Sequence, residues 1–152
     1  MQNRRNFLQR SAIALNVLLV GACQSTLAWA VEEKNNKAFE ARDLASALAV
    51  LGVQNPGSGK RILLDAPEIV EKDANILIKV QSAIPNTDWI AVLIDKREFP
   101  LVDQFDLAGS KMRGIEVKAK LTQTTSIIAV VRADSKYYRV DKEVKVALAD
   151  CK

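Results

Sequence analysis

The chain of 152 residues closes with the stretch Asp141-Lys-Glu-Val-Lys-Val-Ala-Leu-Ala-Asp-Cys151-Lys152. Apolar residues alternate there with charged or small ones: Val144, Val146 and Leu148 against Glu143, Lys145 and Ala147. A period of two predicts a β-strand with one packed face and one solvated face. The stretch therefore predicts a final strand, Glu143–Leu148, followed by a short tail, 149–152, that carries the thiol of Cys151.

Short β-forming runs broken by turn residues extend back from this strand to residue 61. They predict seven strands: Ile62–Leu64, Asn75–Ser82, Trp89–Asp95, Ile115–Leu121, Ser126–Ala133, Tyr137–Val140 and Glu143–Leu148. Evenly spaced short strands without intervening helices are typical of a β-sandwich. We expect this sandwich to occupy residues 61–148.

The pattern within the runs also indicates their place in a sheet. Ala91–Ile94 and Ile127–Val131 are apolar on both faces, as central strands are, whereas Ile115–Leu121 alternates and should expose one charged face. Tyr137 and Tyr138 should point to opposite faces, one to the core and the other to the surface or an interface.

One amphipathic helix is predicted before the strands, over residues 38–51, with Gly52 placed to end it. Its apolar stripe consists of Ala41, Leu44, Ala45, Leu48 and Leu51. The next loop contains Gly57-Ser-Gly-Lys60, which only superficially resembles a phosphate-binding loop. Arg61 occupies the Ser/Thr position and the segment follows a helix instead of a strand.

The first thirty residues have the three zones of an export signal. A basic head precedes an apolar centre, Ala12–Ala22, and a small-x-small cleavage site, Ala28-Trp29-Ala30. The head resembles the twin-arginine motif through four residues: Arg4, Arg5, Phe7 and Leu8. The apolar centre is too short to span a bilayer, which takes roughly 20 residues. We expect export to the periplasm by the twin-arginine route.

A second cleavage pattern overlaps this signal. Leu19-Val20-Gly21-Ala22-Cys23 resembles a lipobox, in which Cys23 would be lipidated and anchor the chain to a membrane. In either case Cys23 is not available for a structural bridge to Cys151.

The charge pattern argues against nucleic acid as a partner. Three of the 22 basic residues lie in the export signal, which leaves 19 against 18 acidic ones in the rest of the chain. A near-neutral body without a basic run interleaved with aromatic residues lacks the usual footprint of a nucleic-acid-binding protein.

Candidate catalytic groups are few. The chain contains no histidine, so a histidine-based nucleophilic triad is excluded, and no tetrahedral zinc cluster is expected. Asp103 and Asp106 could form an acid/base pair, although solvated loop acids are the simpler interpretation. Cys151 remains. A cysteine without an internal partner in an exported chain can carry a dedicated chemistry, link two copies by a disulfide, or be inert.

Several motifs of the mature chain resemble the SoxY family, the sulfur-carrier subunit of bacterial thiosulfate oxidation. They are Ala38–Gly52, Leu64–Ile69, Ser82–Asn86, Ile90–Ile94, Val130–Asp134 and Glu143–Val146. The twin-arginine leader fits as well.

The resemblance implies an all-β immunoglobulin-like sandwich, preceded by one helix, that pairs with a second such subunit, SoxZ. A SoxY protein carries sulfur intermediates as a covalent adduct on a cysteine next to its C-terminus, and Cys151 is the matching position. A haem-containing partner joins thiosulfate to that cysteine, and other periplasmic enzymes hydrolyse or oxidise the adduct. The chain would then be a carrier without a cofactor, and its partners would be the enzymes.

One departure falls on the carrier motif. SoxY proteins typically end in Gly-Gly-Cys-Gly, whereas this chain has Ala149-Asp150-Cys151-Lys152. Glycine adopts backbone conformations closed to other residues and keeps such a tail thin. The departure supports a second hypothesis, a non-carrying immunoglobulin-like interaction module in the periplasm, lipid-anchored if Cys23 is modified.

Overall fold

The computed structural model describes residues 36–147. Residues 36–40 are helical, and a further helix runs over Leu44–Leu51. The predicted continuous helix over 38–51 is interrupted because Asp43 caps the second helix: its carboxylate accepts hydrogen bonds from the backbone N–H and the hydroxyl of Ser46, at 2.8 and 2.6 Å. Gly52 ends the helix in the left-handed conformation, φ 78°, as predicted. Neither helical segment described is long and apolar enough to cross a membrane.

Nine strands follow in the described chain. They are β1 Gly57–Ser58, β2 Ile62–Asp65, β3 Ile69–Glu71, β4 Asn75–Ser82, β5 Thr87–Ile94, β6 Leu101–Asp106, β7 Gly114–Lys120, β8 Thr125–Ala133 and β9 Lys136–Ala147. The larger sheet has the order β1-β9-β8-β5-β6, with β3 also paired to β9, and the smaller sheet has the order β2-β4-β7. The two sheets form the predicted all-β sandwich.

The main core lies between the sheets. Alternate residues of β2, β4 and β7 meet alternate residues of β5 and β8. The largest fully buried side chains of this core include Ile78, Val80, Ile90, Val92, Ile127 and Val131. β7 shows the predicted alternation, with Glu116, Lys118 and Lys120 exposed.

A second core lies on the other face of the larger sheet, beneath the helix. Ala47, Leu51 and Val53 pack there against Leu93, Val130 and their neighbours. The central strands β5 and β8 are therefore buried on both faces, which confirms the prediction from their two-sided apolar sequence. Within the predicted helical stripe, Ala45 is exposed and Ala47 is buried in its place.

The last strand differs from its prediction. β9 is one strand of 12 residues, whereas the sequence predicted two, over Tyr137–Val140 and Glu143–Leu148. Asp141 does not break it, because its carboxylate accepts two hydrogen bonds from Arg139, which lies on the same strand face, at 2.7 and 2.6 Å. This hydrogen bonding also raises the pKa of Arg139.

Tyr137 and Tyr138 lie on opposite faces of β9, as predicted. Tyr137 packs in the helix-side core, where its hydroxyl donates to the carbonyl of Leu51 at 3.3 Å and its ring meets Trp89 edge-on. Tyr138 packs against the inter-sheet core. Both are half-buried, so neither is a purely surface residue.

Leu93→Ala and Leu63→Ala compare two sheet faces. Leu93 lies on the face of the larger sheet that the helix covers, and Leu63 lies on the exposed face of the smaller sheet. Leu93 is fully buried under the helix and Leu63 is 60% exposed. Leu93→Ala should lower the free energy of unfolding by about 2–5 kcal/mol, and Leu63→Ala by no more than about 0.5 kcal/mol. Urea unfolding measures both. Equal small losses of unfolding free energy in the two variants would contradict the burial of Leu93 beneath the helix.

Candidate functional site at the base of the tail

β9 is the strand that precedes residues 148–152 in the sequence. β8 pairs with it along one edge. The two strands pair from Ala133↔Lys136 to Thr125↔Val144. Val144 is fully buried, Val146 packs against the inter-sheet core, and Glu143 and Lys145 are exposed. The alternation predicted for Glu143–Leu148 is confirmed over residues 143–147, and Leu148 lies outside the described residues.

Near the start of β9, the other edge of the strand is covered by the segment around β1. β1 runs parallel to β9, with Gly57 beside Tyr138. The N–H of Gly59 donates to the carbonyl of Arg139 at 2.9 Å. A Cβ at position 59 would lie 2.4 Å from that carbonyl oxygen, so only glycine allows this approach.

Near the end of β9, the same edge is covered by the segment around β3. The ammonium of Lys142 donates to the carbonyl of Ala66 at 2.6 Å, and the N–H of Lys145 donates to the carbonyl of Glu68 at 2.8 Å. β3 then runs parallel to the end of β9, from Ile69↔Lys145 to Glu71↔Ala147.

Thr124 adds a contact from the side of β8. Its hydroxyl accepts a hydrogen bond from the N–H of Val146 at 3.0 Å, one residue beyond the end of the β8 ladder. The loop that holds Thr124 is fixed in turn, because Gln123 donates to the carbonyl of Lys96 at 2.7 Å and the Thr125 hydroxyl donates to the carbonyl of Asp95. We call residues 144–147, β3 and Thr124 together the tail base.

The surface around the tail base is charge-balanced. Glu68, Glu71, Lys72 and Lys145 are all exposed there. Ile69 lies among them with 67% of its surface exposed, the largest value among the large apolar side chains described. Lys120 and Asp73 form an ion pair nearby at 3.5 Å. Exposed pairs of this kind add little to stability.

The predicted site residues lie beyond this base. Cys151 follows Ala147 by four residues and lies outside the described chain, as do Cys23, Arg4, Arg5, Phe7 and Leu8. The structure therefore describes the support of the Cys151 segment, and the roles of these six residues remain predictions.

Asp103 and Asp106 do not form an acid/base pair. They lie on β6, three positions apart, and residues three apart on a strand point to opposite faces. Asp103 accepts from the N–H of Gln104 at 2.8 Å and Asp106 from the N–H of Ala108 at 2.9 Å. They are thus edge-strand residues, and the interpretation as loop acids was wrong about their location. Residues 36–147 contain no cluster of three or more acidic or cysteine side chains that could hold a metal ion.

Two parts of the tail base, β3 and Thr124, were not predicted from the sequence. The β-branched pair Ile69-Val70, between Pro67 and Asp73, was the available signal for β3. Thr124 had no such signal, because its contact depends on the path of β9.

The comparisons with known proteins agree with this architecture. The family described as "Sulfur oxidation protein SoxY" matches residues 47–151, which include the tail base and Cys151. This chain belongs to the SoxY family. The assignment confirms the resemblance seen in the sequence and places the chain among carrier proteins of sulfur oxidation.

A solved structure agrees with the family. The sulfur carrier protein SoxY from Chlorobium limicola f thiosulfatophilum superposes with a TM-score of 0.60 and 27% sequence identity, over 68% of this chain and 94% of its own. An engineered protein superposes with a TM-score of 0.40 and 16% identity, over 60% of this chain and 21% of its own, too weakly for any argument. A search of curated protein sequences finds no match.

Gly59→Ala tests the close approach that holds β9. The new Cβ has to displace backbone, so we expect a loss of about 1–3 kcal/mol in the free energy of unfolding and faster amide hydrogen exchange near Arg139. Gly57→Ala is the matched control, since its Cβ would meet a side-chain atom, a ring carbon of Tyr138, at 3.2 Å and no backbone atom closer than 3.7 Å. A Gly59→Ala variant as stable as Gly57→Ala would rule out the contact.

Proposed function

We propose that this SoxY protein is a periplasmic carrier that holds a sulfur intermediate covalently on Cys151. The observation that carries the proposal is the tail base: β9 pairs with β3 as far as Ala147 on one edge and is bonded to Thr124 at Val146 on the other, and Cys151 follows Ala147 by four residues. A carrier needs a body that stays in place while its cargo visits several enzymes, and the doubly held strand meets that need.

The distance between base and thiol limits where the cargo can go. A link of four residues spans at most about 14 Å when fully extended. Cys151 could therefore enter a partner's pocket of that depth while the sandwich stays outside it. A short link also keeps the sulfur at high effective concentration near any enzyme that binds the body.

The loading step fixes what a partner must supply. When the thiol joins thiosulfate, one S–S bond forms, one proton leaves Cys151, and two electrons leave the pair of sulfur atoms. The electrons require an acceptor, and a haem-containing partner protein takes that role in this proposal. Other periplasmic enzymes then hydrolyse or oxidise the bound sulfur, and a SoxZ-like subunit completes the carrier.

The sequence of the tail shapes this chemistry. Ala149 and Asp150 stand where SoxY proteins typically have glycines, so the link is stiffer and thicker. Asp150 places a negative charge beside the thiol, against the approach of an anion such as thiosulfate. We propose that this chain serves a partner whose pocket accepts a thicker link.

In this proposal the chain is exported to the periplasm before it carries sulfur. The proposal takes Arg4, Arg5, Phe7 and Leu8 as the twin-arginine signal that brings the folded chain to the periplasm. If cleavage occurs at the lipobox, Cys23 becomes a lipid anchor and the carrier works at the membrane surface.

Mass spectrometry tests carriage directly. Protein purified from cells that oxidise thiosulfate should carry a thiosulfonate or polysulfane adduct on Cys151. A Cys151→Ser strain should lose sulfur oxidation, and a Cys23→Ser strain should retain carriage. An unmodified Cys151 together with normal oxidation in the Cys151→Ser strain would reject the proposal.

That negative result would favour the second candidate, the non-carrying interaction module that the Ala149–Lys152 sequence suggests. Cys151→Ser would then be silent, and complex formation would depend on residues of the sandwich. A band of double mass on a non-reducing gel would instead indicate a dimer linked through Cys151.

Asp150→Asn tests the charge beside the thiol. Two unit charges about 4 Å apart in water interact by about 1 kcal/mol, so removing one should speed the loading of thiosulfate a few-fold. Lys152→Gln should slow loading for the opposite reason. Both effects should shrink at high salt, which screens exposed charges. An Asp150→Asn variant that loads no faster at low salt would contradict this role of charge.

A further inference from the structure

β6 forms one edge of the larger sheet. It pairs with β5 on one side, and no other strand within residues 36–147 pairs with its outer side. Just after β6, the backbone N–H of Leu107 donates to the carbonyl of Asp88, beside β5, at 2.8 Å. Because successive N–H groups of a strand point to opposite edges, those of Gln104 and Asp106 point to the outer side. An outer edge of this kind can pair with a strand of another chain.

One of these outward N–H groups is bonded within the chain. The carboxylate of Asp103 accepts a hydrogen bond from the N–H of Gln104 at 2.8 Å. Asp103 lies opposite Val92 of the inter-sheet core, and Phe105, two residues further along β6, packs against the same core. Residues opposite each other in a ladder share one face of the sheet. Asp103 is therefore a half-buried acid on the inward face of an edge strand, and its carboxylate reaches round to the open edge.

Asp103 also interrupts a sequence that suits strand pairing. Leu101 and Val102 precede it and Gln104-Phe105 follow it, so the acid lies among apolar strand-forming residues. Short segments of high β-propensity and low charge pair readily with copies of themselves when their edge is open. Native proteins prevent such pairing with inward-pointing charges on edge strands, and Asp103 has this position.

We infer that Asp103 keeps the outer edge of β6 closed to a second copy of this chain. Two copies of β6 paired antiparallel would place both Asp103 side chains on the same face of the joined sheet, where like charges repel each other. The N–H of Gln104 would also have to exchange the carboxylate for a carbonyl of the copy. The released carboxylate would then lie at a joint between two strands, where burying an unpaired charge is costly.

This inference concerns the sandwich alone and does not depend on the proposed function of Cys151. A result against sulfur carriage would leave it unchanged, and a result against the role of Asp103 would leave the proposed function unchanged. The expected assembly of a chain without this acid is a pair, because each copy has one β6 edge and an antiparallel pairing of two identical strands is closed.

Asp103→Val, Asp103→Lys and Asp106→Val test the inference in the full chain, with a reducing agent present to exclude disulfide-linked copies. Valine removes the charge and the acceptor, and lysine keeps a charge on the inward face. Asp106→Val makes the same change at the other acid of β6, whose carboxylate bonds the N–H of Ala108 beyond the end of the strand. The readouts are the mass from analytical ultracentrifugation and the amide hydrogen exchange of β6, both over a series of protein concentrations.

The mass of Asp103→Val should rise towards that of two copies as its concentration is raised, and the amides of Gln104 and Asp106 should exchange more slowly in the pair. Asp103→Lys, Asp106→Val and the unaltered chain should show no such concentration-dependent slowing. The inference is overturned if Asp103→Val does not associate, or if Asp103→Lys associates equally. Association that leaves the exchange of Gln104 and Asp106 unchanged would also overturn it, because another surface would then be responsible.

A measurement on the unaltered chain does not depend on how the variants fold. The N–H of Gln104 has a charged acceptor, whereas the N–H of Asp106 points to the open edge, where residues 36–147 supply no strand to accept it. After correction for intrinsic rates, Gln104 should exchange about 10-fold or more slowly than Asp106, as expected for a hydrogen bond to a charged group. Equal corrected rates would show that the Asp103 carboxylate does not close the edge.

Discussion

The structure depends on the burial of β5 and β8 on both faces. The smaller sheet covers one face of these strands and the helix Leu44–Leu51 covers the other. A strand enclosed in this way cannot shift its register without exposing apolar side chains to water. β9 takes its own register from β8 over nine residue pairs, so the helix and the smaller sheet together fix the strand that leads to Cys151.

The parts of the fold that could be predicted are those whose signal is local. The two-sided apolar runs identified β5 and β8, strict alternation identified β7 and the end of β9, and Gly52 identified the end of the helix. The order of the motifs identified the family as well. Each of these signals comes from neighbouring residues and from the period of their burial.

The parts that the sequence did not predict are made by distant contacts. β1 and β3 have two and three residues, too few for a periodic pattern, and they exist because β9 offers an open edge. β9 itself continues through Asp141 because Arg139 bonds the carboxylate. The sequence singled out Cys151 but not Thr124, because a threonine in a loop gives no sign of which backbone it will meet.

The proposed function combines a body that is held in place up to the end of the described strand β9 with a cysteine that follows four residues later in the sequence. The SoxY family supplies the role of sulfur carrier, and in our proposal the tail base keeps the end of β9 in place for that role. The departure at Ala149 and Asp150 lies in the sequence after the described body. A difference between this protein and other SoxY carriers should therefore lie in the partners it can reach.

Native-state hydrogen exchange across β9 is the most direct test of this fixed body. We expect the amides of Val140 and Val144 to exchange only through global unfolding, at rates shared with β5 and β8. Exchange of these two amides as fast as that of the exposed 108–113 loop would show that β9 moves independently of the core. Cys151 would then have no fixed base from which to deliver its cargo.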